Sequence, residues 1–319
     1  MIADLGQRAA RWDGIRSEFV AVRGVRVHLL RAAADPAAPP GAPTQLLLHG
    51  LGSTAVAWLD VMPGLTALGP VIAVDLPGAG RTVPPRRRAA RPEAHAPLVA
   101  ALIATLGLDR TIVHGWSMGG LVAVLCAAAA PHRIERLVLT SPPLPGPLGT
   151  FGAVGWATLG RFALVTGAPV ARLVFRKMAR RMTARGELPK TRPELVGGDL
   201  ARMSPELAAL LEEERRWALS QPWRIDGYVT QWAATTSTLF VRRRRATRAV
   251  AMVQAPTVVL WGDRDSLIER RAIDHLMAQR PDWKLRVLEG AGHAAPIEVP
   301  GTYVEAVARS DATRTSEGT

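Results

Sequence analysis

The sequence predicts an α/β fold: a mainly parallel, twisted sheet of about eight strands with helices on both faces. Short apolar runs, most of which end in a glycine or a turn, alternate along the chain with longer helix-like stretches. The apolar runs are continuous rather than alternating with polar residues, which is typical of strands that are buried on both faces. At 319 residues the chain is long enough to enclose such a sheet in a large core.

The predicted strands follow one another in a simple order. Residues 19–22 and 25–30, separated by Arg23-Gly24, predict a β-hairpin. Further strands are predicted at residues 45–48, 71–74, 111–113, 136–139, 257–260 and 284–288. Helices are predicted at residues 94–106, 118–130 and 268–279. This alternation of strand and helix indicates parallel strands joined by helical crossovers.

The alternating pattern stops after the sixth strand and resumes near residue 255. Between residues 144 and 250 the chain has Gly/Pro-rich stretches, helix-like segments and basic clusters instead. We therefore predict one core, formed by residues 1–143 and 251–309, with a helical insertion at residues 144–250. The polar segment 310–319 is predicted to be a disordered tail.

A G-x-S-x-G motif is formed by Gly115-Trp116-Ser117-Met118-Gly119. The motif follows the predicted strand 111–113 and precedes a predicted helix, which is the strand–turn–helix context that a nucleophilic serine requires. Such a turn presents the serine oxygen at the carboxyl end of the strand, beside the positive end of the helix. Ser117 is therefore the candidate nucleophile.

A serine needs a base, and the base needs a third group to orient it. Strand 257–260 is followed by Trp-Gly-Asp-Arg-Asp, which contains Asp263 and Asp265. Strand 284–288 is followed by Glu-Gly-Ala-Gly-His, which ends in His293. We expect His293 to act as the base, whereas spacing alone leaves either aspartate as its partner.

Two further motifs are His-Gly-Leu-Gly-Ser at 49–53 and Asp-Leu-Pro-Gly-Ala-Gly at 75–80. Together with the serine, acid and histidine motifs, they resemble those of the α/β-hydrolase superfamily, in particular capped esterase- and lipase-like serine hydrolases. The resemblance covers residues 19–140 and 255–310. It implies that the insertion is a cap over the active site. One departure is Pro296, which stands one place later than in the commonest form.

The resemblance also assigns roles to individual residues. It implies a catalytic triad of Ser117, His293 and Asp265, with Asp263 in the turn before the acid as the alternative. It further implies that the backbone N–H groups of Leu51 and Met118 form the oxyanion hole.

The resemblance implies a Ser-His-Asp triad but does not decide which of several reactions the triad catalyses. The leading expectation is hydrolysis of a carboxylic ester or related acyl compound with a small apolar acyl group, because the insertion is rich in Phe and Trp. Carbon–carbon bond hydrolysis, acyl transfer and cofactor-free perhydrolysis use the same triad. A non-catalytic binding protein at a membrane surface is the alternative of a different class. Dehalogenases and epoxide hydrolases of this fold have an aspartate where Ser117 stands.

The formal charge is +13, and most of the excess lies between residues 144 and 250. Residues 170–185 predict a basic amphipathic helix, to which the arginines at 242–245 could add. Such a helix fits either an anionic membrane surface or the solvated outer face of a cap. The sequence contains no nucleic-acid-binding module, so we expect no nucleic-acid partner.

Other classes of function are disfavoured by the composition. The sequence has no metal-ligand spacing and no dinucleotide-binding glycine motif after a strand, so neither a metal nor a cofactor is expected. There is one cysteine, Cys126, in an apolar run, which excludes an intramolecular disulfide. The sequence shows no signal peptide and no membrane span, so we expect a cytoplasmic protein.

Overall fold

The computed structural model describes residue 2, residues 5–147 and residues 199–315, with a few isolated positions between the last two ranges. Within these residues an eight-stranded sheet has the order β1-β2-β4-β3-β5-β6-β7-β8. The strands are β1 (Arg16–Val22), β2 (Val25–Ala32), β3 (Thr44–Leu48), β4 (Val71–Val74), β5 (Thr111–Trp116), β6 (Arg136–Thr140), β7 (Thr257–Gly262) and β8 (Lys284–Leu288). β2 pairs antiparallel with β1 and β4, and the other neighbouring strands are parallel.

The helices of the described residues are numbered here in chain order. They are α1 (Leu5–Arg8), α2 (Met62–Leu65), α3 (Pro92–Thr105), α4 (Met118–Ala129), α5 (Pro205–Ser220), α6 (Arg224–Phe240), α7 (Arg243–Met252), α8 (Arg270–Gln279), α9 (Ala295–Glu298) and α10 (Pro300–Thr315). None of these helices combines the length and the apolar character needed to cross a bilayer.

Apolar side chains pack on both faces of the sheet. In β3, Leu46 and Leu48 join the core beneath α3, α4, α7 and α8, whereas Leu47 joins the core beneath α10. This alternation follows from the two-residue period of a strand, which sends successive side chains to opposite faces. The predicted fold class is therefore confirmed, including the hairpin of β1 and β2.

β5 is longer than the sequence pattern indicated. It was predicted to end at residue 113 but continues through His114 and Gly115 to Trp116. The His114 side chain is fully buried, and its two ring nitrogens lie 2.9 Å from Tyr303 Oη and 2.8 Å from Gln45 Oε1. A polar residue can occupy the interior of a strand because these partners satisfy both of its nitrogens.

Of the predicted insertion, the structure describes residues 144–147 and 199–250, with a few isolated positions between them. Residues 148–198, which include the predicted basic helix 170–185, lie almost entirely outside the described residues. α5, α6 and α7 follow, and α7 contributes Ala246, Ala249 and Val250 to the core beneath it. The limits proposed for the insertion stay predictions. α10 continues to Thr315 and so includes the first six residues of the segment predicted to be disordered.

Candidate active site

Ser117 is the single residue that connects a strand to a helix. β5 ends at Trp116 and α4 begins at Met118, and Ser117 adopts φ 52° and ψ −123° between them. An L-residue avoids this conformation, so the strain must be supported by the surrounding structure. One support is the hydrogen bond from Ser117 N–H to Thr140 O of β6, at 2.9 Å.

The glycines of the motif allow this turn to be tight. A Cβ on Gly119 would lie 2.2 Å from Leu48 O, and a Cβ on Gly115 would lie 2.5 Å from Gly119 O. Both distances are far below van der Waals contact with backbone atoms that cannot move aside. The glycines therefore permit α4 to begin directly against the end of β3.

The structure brings Ser117, His293 and Asp265 into one chain of hydrogen bonds. Ser117 Oγ lies 2.9 Å from His293 Nε2, and His293 Nδ1 lies 2.9 Å from Asp265 Oδ2. The three residues follow β5, β8 and β7 respectively, so the carboxyl ends of parallel strands bring them to one edge of the sheet. His293 and Asp265 are both buried, at 4% and 6% relative exposure.

Asp265 is prepared to carry a negative charge. Its Oδ1 accepts hydrogen bonds from the N–H groups of Leu267 (2.8 Å) and Ile268 (2.9 Å). Burial opposes ionisation, but the attraction of His293 and these hydrogen bonds outweigh it, so the pKa of Asp265 lies below its ordinary value. Asp263 is exposed instead, and its Oδ1 accepts a hydrogen bond from Gly290 N–H at 2.7 Å.

Two residues hold the loop that carries His293. The buried carboxylate of Glu298 accepts hydrogen bonds from Gly292 N–H (2.8 Å) and Ala294 N–H (2.9 Å), on either side of the histidine. Trp116 Nε1–H donates to the backbone oxygen of His293 itself, at 2.7 Å. The sequence predicts neither of these roles, because the bonds of Glu298 and Trp116 do not follow from local spacing.

The loop of residues 49–53 lies against the serine. A Cβ on Gly50 would be 3.2 Å from Ser117 Cβ. His49 is fully buried, and its Nε2 accepts a hydrogen bond from Leu76 N–H at 3.1 Å. Burial lowers the pKa of His49, which keeps the ring neutral and able to accept this bond. The N–H groups of Leu51 and Met118 belong to this loop and to the first residue of α4, whose N–H has no partner within the helix.

Asp75, at the end of β4, organises the turn of residues 75–80. Its carboxylate accepts hydrogen bonds from the N–H groups of Ala55 (2.7 Å) and Arg81 (2.8 Å), and lies 2.6 Å from His28 Nδ1. Burial raises the pKa of Asp75, but His28 and the hydrogen bonds lower it by more, so the carboxylate is ionised. His28 Nε2 in turn lies 2.9 Å from Ser17 Oγ. This second Ser–His–Asp chain joins the hairpin to the turn.

The family model for the α/β-hydrolase family matches residues 45–306 of this chain. The match covers most of the chain and spans the serine turn, the acid loop and the histidine loop. The chain belongs to the α/β-hydrolase family. Membership agrees with the sheet order and with the position of Ser117 after β5.

Several curated α/β hydrolases are similar to the chain. It is 29% identical over 262 residues to 2-hydroxy-6-oxononadienedioate/2-hydroxy-6-oxononatrienedioate hydrolase 2 of Pseudomonas putida, covering 81% of this chain and 84% of the relative. It is 25% identical over 267 residues to the pimeloyl-[acyl-carrier protein] methyl ester esterase of Aeromonas hydrophila, covering 83% and 94%. With the biotin biosynthesis bifunctional protein BioHC of Cellvibrio japonicus it shares 27% identity over 83% of its own length, and it spans 47% of that longer protein.

Solved structures support the same fold. A thermophilic esterase from Thermogutta terrifontis superposes with a TM-score of 0.65 at 20% identity, covering 93% of this chain and 98% of that one. At this level of identity the likeness concerns the α/β-hydrolase fold alone.

Proposed function

We propose that this α/β hydrolase is a serine hydrolase that cleaves a carboxylic ester or related acyl compound through an acyl-enzyme. The observation that carries the proposal is the hydrogen-bonded chain from Ser117 through His293 to Asp265, with the serine on a strained turn. A nucleophile within reach of its base, and a base within reach of a buried carboxylate, is the arrangement that activates a serine.

The proposed reaction has two halves. Ser117 Oγ attacks the acyl carbon while its proton passes to His293 Nε2, and the Nδ1–H of the resulting imidazolium donates to ionised Asp265. The carbonyl oxygen becomes an oxyanion that accepts hydrogen bonds from the N–H groups of Leu51 and Met118. Collapse of this intermediate breaks the acyl–oxygen bond, and the leaving alcohol takes the proton from Nε2. Water then attacks the acyl-serine by the same route and releases the acid.

Ester hydrolysis leads among several reactions that the same residues would support. The similarity to a methyl ester esterase favours it. The similarity to an oxononadienedioate hydrolase keeps carbon–carbon bond hydrolysis as the second candidate. Acyl transfer and perhydrolysis differ only in what attacks the acyl-serine. We expect the acyl group to be apolar, because residues 144–250 hold most of the Phe and Trp residues of the chain.

A fluorophosphonate probe tests the proposal, since it reacts with activated serines without requiring the natural substrate. We expect the wild-type protein to be labelled and Ser117→Ala to remain unlabelled, with circular dichroism confirming that the variant is folded. A panel of p-nitrophenyl esters of graded chain length then reports acyl preference. A folded wild-type protein that takes up no label contradicts the proposal. Labelling without turnover of any ester would favour carbon–carbon hydrolysis or acyl transfer.

We also propose a peripheral contact with anionic membranes. On α7, Arg244, Arg248 and Met252 are spaced four residues apart on one exposed face, opposite the face that packs on the core. Val241, at 65% relative exposure, and Met252, at 52%, add apolar surface beside the arginines. Basic and apolar side chains together are typical of a helix that lies on an anionic bilayer.

Sedimentation with vesicles tests the membrane contact. We expect binding to phosphatidylglycerol-containing vesicles at low salt, and weaker binding at high salt or after Arg244→Gln with Arg248→Gln. Absence of binding to anionic vesicles at low salt contradicts the contact and leaves the catalytic proposal unaffected.

We also propose a cytoplasmic location for the protein. The burial of Cys126, which raises the pKa of its thiol to about 12, is consistent with a reduced thiol.

A further inference from the structure

α6 lies directly on the loop of residues 49–53, which packs against Ser117, and on the turn of residues 75–80. Its contacting residues are Arg224, Gly227, Tyr228 and Gln231, at positions i, i+3, i+4 and i+7, which form one face of a helix. The loops are the segment 49–53, which carries Leu51, and the turn 75–80. None of these four residues belongs to the motifs that identify the family.

Arg224 joins the two loops to each other. One terminal guanidinium nitrogen donates to Gly78 O at 2.9 Å, and the other donates to Gly52 O at 3.2 Å. A planar guanidinium holds two acceptors in a fixed relation, which the single ammonium of a lysine does not reproduce. Arg224 thereby fixes the distance between the 49–53 loop and the 75–80 turn.

The rest of the α6 face packs tightly on the same backbone. A Cβ on Gly227 would lie 2.8 Å from Gly78 O and 2.9 Å from Gly78 Cα, so the helix approaches the turn as closely as a glycine permits. The ring of Tyr228 covers Gly52, where an added Cβ would lie 3.2 Å from it. Gln231 Nε2–H donates to Pro77 O at 3.1 Å.

The hydrogen bond from Arg224 to Gly52 O lies one residue away from Leu51, the proposed oxyanion donor. Gly52 directly follows Leu51, and Gly50 on its other side lies against Ser117. Leu51 is therefore placed between a fixed serine and a carbonyl that Arg224 holds. We propose that Arg224 is a positioning residue, which holds the 49–53 loop so that Leu51 N–H meets the developing oxyanion. The inference rests on the proposed hydrolase function.

The test measures kcat for each catalytically competent active site in the 319-residue protein. Arg224→Met removes both hydrogen bonds, Arg224→Lys can restore one, and Gly227→Ala pushes α6 off the turn while keeping the charge. Arg216→Met is the matched control, because Arg216 is an exposed arginine on α5 that pairs with Glu212, away from both loops, among the residues that the structure describes. A burst titration with a p-nitrophenyl ester counts the acylated sites, so a loss of folded protein is separated from a slower reaction.

We expect Arg224→Met to lower kcat per titrated site by about 10–100-fold, the size of effect that a misplacement of about 1 Å produces. KM should change little, Arg224→Lys should be intermediate, and Gly227→Ala should resemble Arg224→Met. Fluorophosphonate labelling should slow in parallel, whereas Arg216→Met should behave as wild type.

The inference is overturned if Arg224→Met lowers only the number of titrated sites or the melting temperature while kcat per site stays at the wild-type value. It is also overturned if Gly227→Ala is fully active, since the position of α6 would then not matter. Failure of the wild-type protein to take up the fluorophosphonate is a different result, which removes the proposed function and the inference with it.

Discussion

Asp263 and Asp265 stand two positions apart on the same loop but have different environments. Asp265 is buried against His293 and accepts two backbone hydrogen bonds. Asp263 is exposed and accepts one hydrogen bond, from Gly290 N–H. Spacing left either aspartate as the acid, and only the resemblance to a family favoured Asp265. The geometry favours the same residue, because the carboxylate of Asp265 lies 2.9 Å from His293 Nδ1, whereas that of Asp263 is occupied by Gly290 N–H.

Asp265→Asn should therefore lower kcat by about 10⁴-fold, since an amide no longer holds the imidazole in the tautomer that accepts the serine proton. Asp263→Asn keeps an oxygen for Gly290 N–H and serves as the matched control, with activity close to wild type. Steady-state ester hydrolysis by the two variants decides between them. A larger loss in Asp263→Asn would assign the acid to Asp263.

Glu298 offers a second prediction at the scale of one side chain. Glu298→Gln replaces one of its two accepting oxygens with an NH₂ group, so Gly292 N–H or Ala294 N–H is left buried without a partner. Such a group costs about 1–3 kcal/mol. We expect urea unfolding to show this loss of stability and kcat to fall because the loop of His293 loosens. Wild-type values for both quantities would mean that the two hydrogen bonds contribute nothing to the loop.

At the scale of elements, the central strands and the long helices that cover them could be predicted from the sequence. Continuous apolar runs locate β3 to β7, because each is buried on both faces and its pattern needs no knowledge of its neighbours. Arg224 on α6 could not be predicted, since its partners Gly52 and Gly78 lie 172 and 146 residues earlier in the chain. A basic residue at the start of a helix carries no local signal of such contacts.

β5 and α3 also carry buried histidines, which predict how stability depends on pH. Burial lowers the pKa of His114 and of His95 from 6.5 to about 3. Between these values the unfolded chain binds protons that the folded protein does not, so stability is complete above pH 6.5 and falls as the pH drops toward 3. Each histidine contributes a slope of up to about 1.4 kcal/mol per pH unit.

Urea unfolding at several pH values measures this slope. His114→Asn should reduce it between pH 6 and pH 4, and His132→Asn, at an exposed position, is the matched control. An unchanged slope in His114→Asn would show that His114 is protonated in the folded state, contrary to its placement between Tyr303 and Gln45.

At the scale of the whole molecule, the site exists only when the sheet is complete. Ser117 follows β5, Asp265 follows β7 and His293 follows β8, and β6 lies between the first two of these strands. Each residue comes from a different part of the chain, so no local segment can hold two of them together. The motifs could be read from the sequence, whereas their mutual distances depend on the parallel registers of four strands.

This dependence predicts that activity and global structure are lost together in urea. The rate of fluorophosphonate labelling and tryptophan fluorescence should fall with the same midpoint, because a two-state unfolding of the sheet separates the three residues. Loss of labelling at a clearly lower urea concentration would show that the site opens before the sheet does.

The central claim is that Ser117 forms an acyl-enzyme with the help of His293. Rapid mixing with a p-nitrophenyl ester, followed by acid quenching and peptide mass spectrometry, tests it most directly. We predict a burst of p-nitrophenol equal to the number of protein chains and an acyl group on the peptide that contains Ser117. Both signals should be absent in Ser117→Ala and strongly slowed in His293→Ala. An acyl group on another residue, or turnover that persists in Ser117→Ala, would contradict the claim.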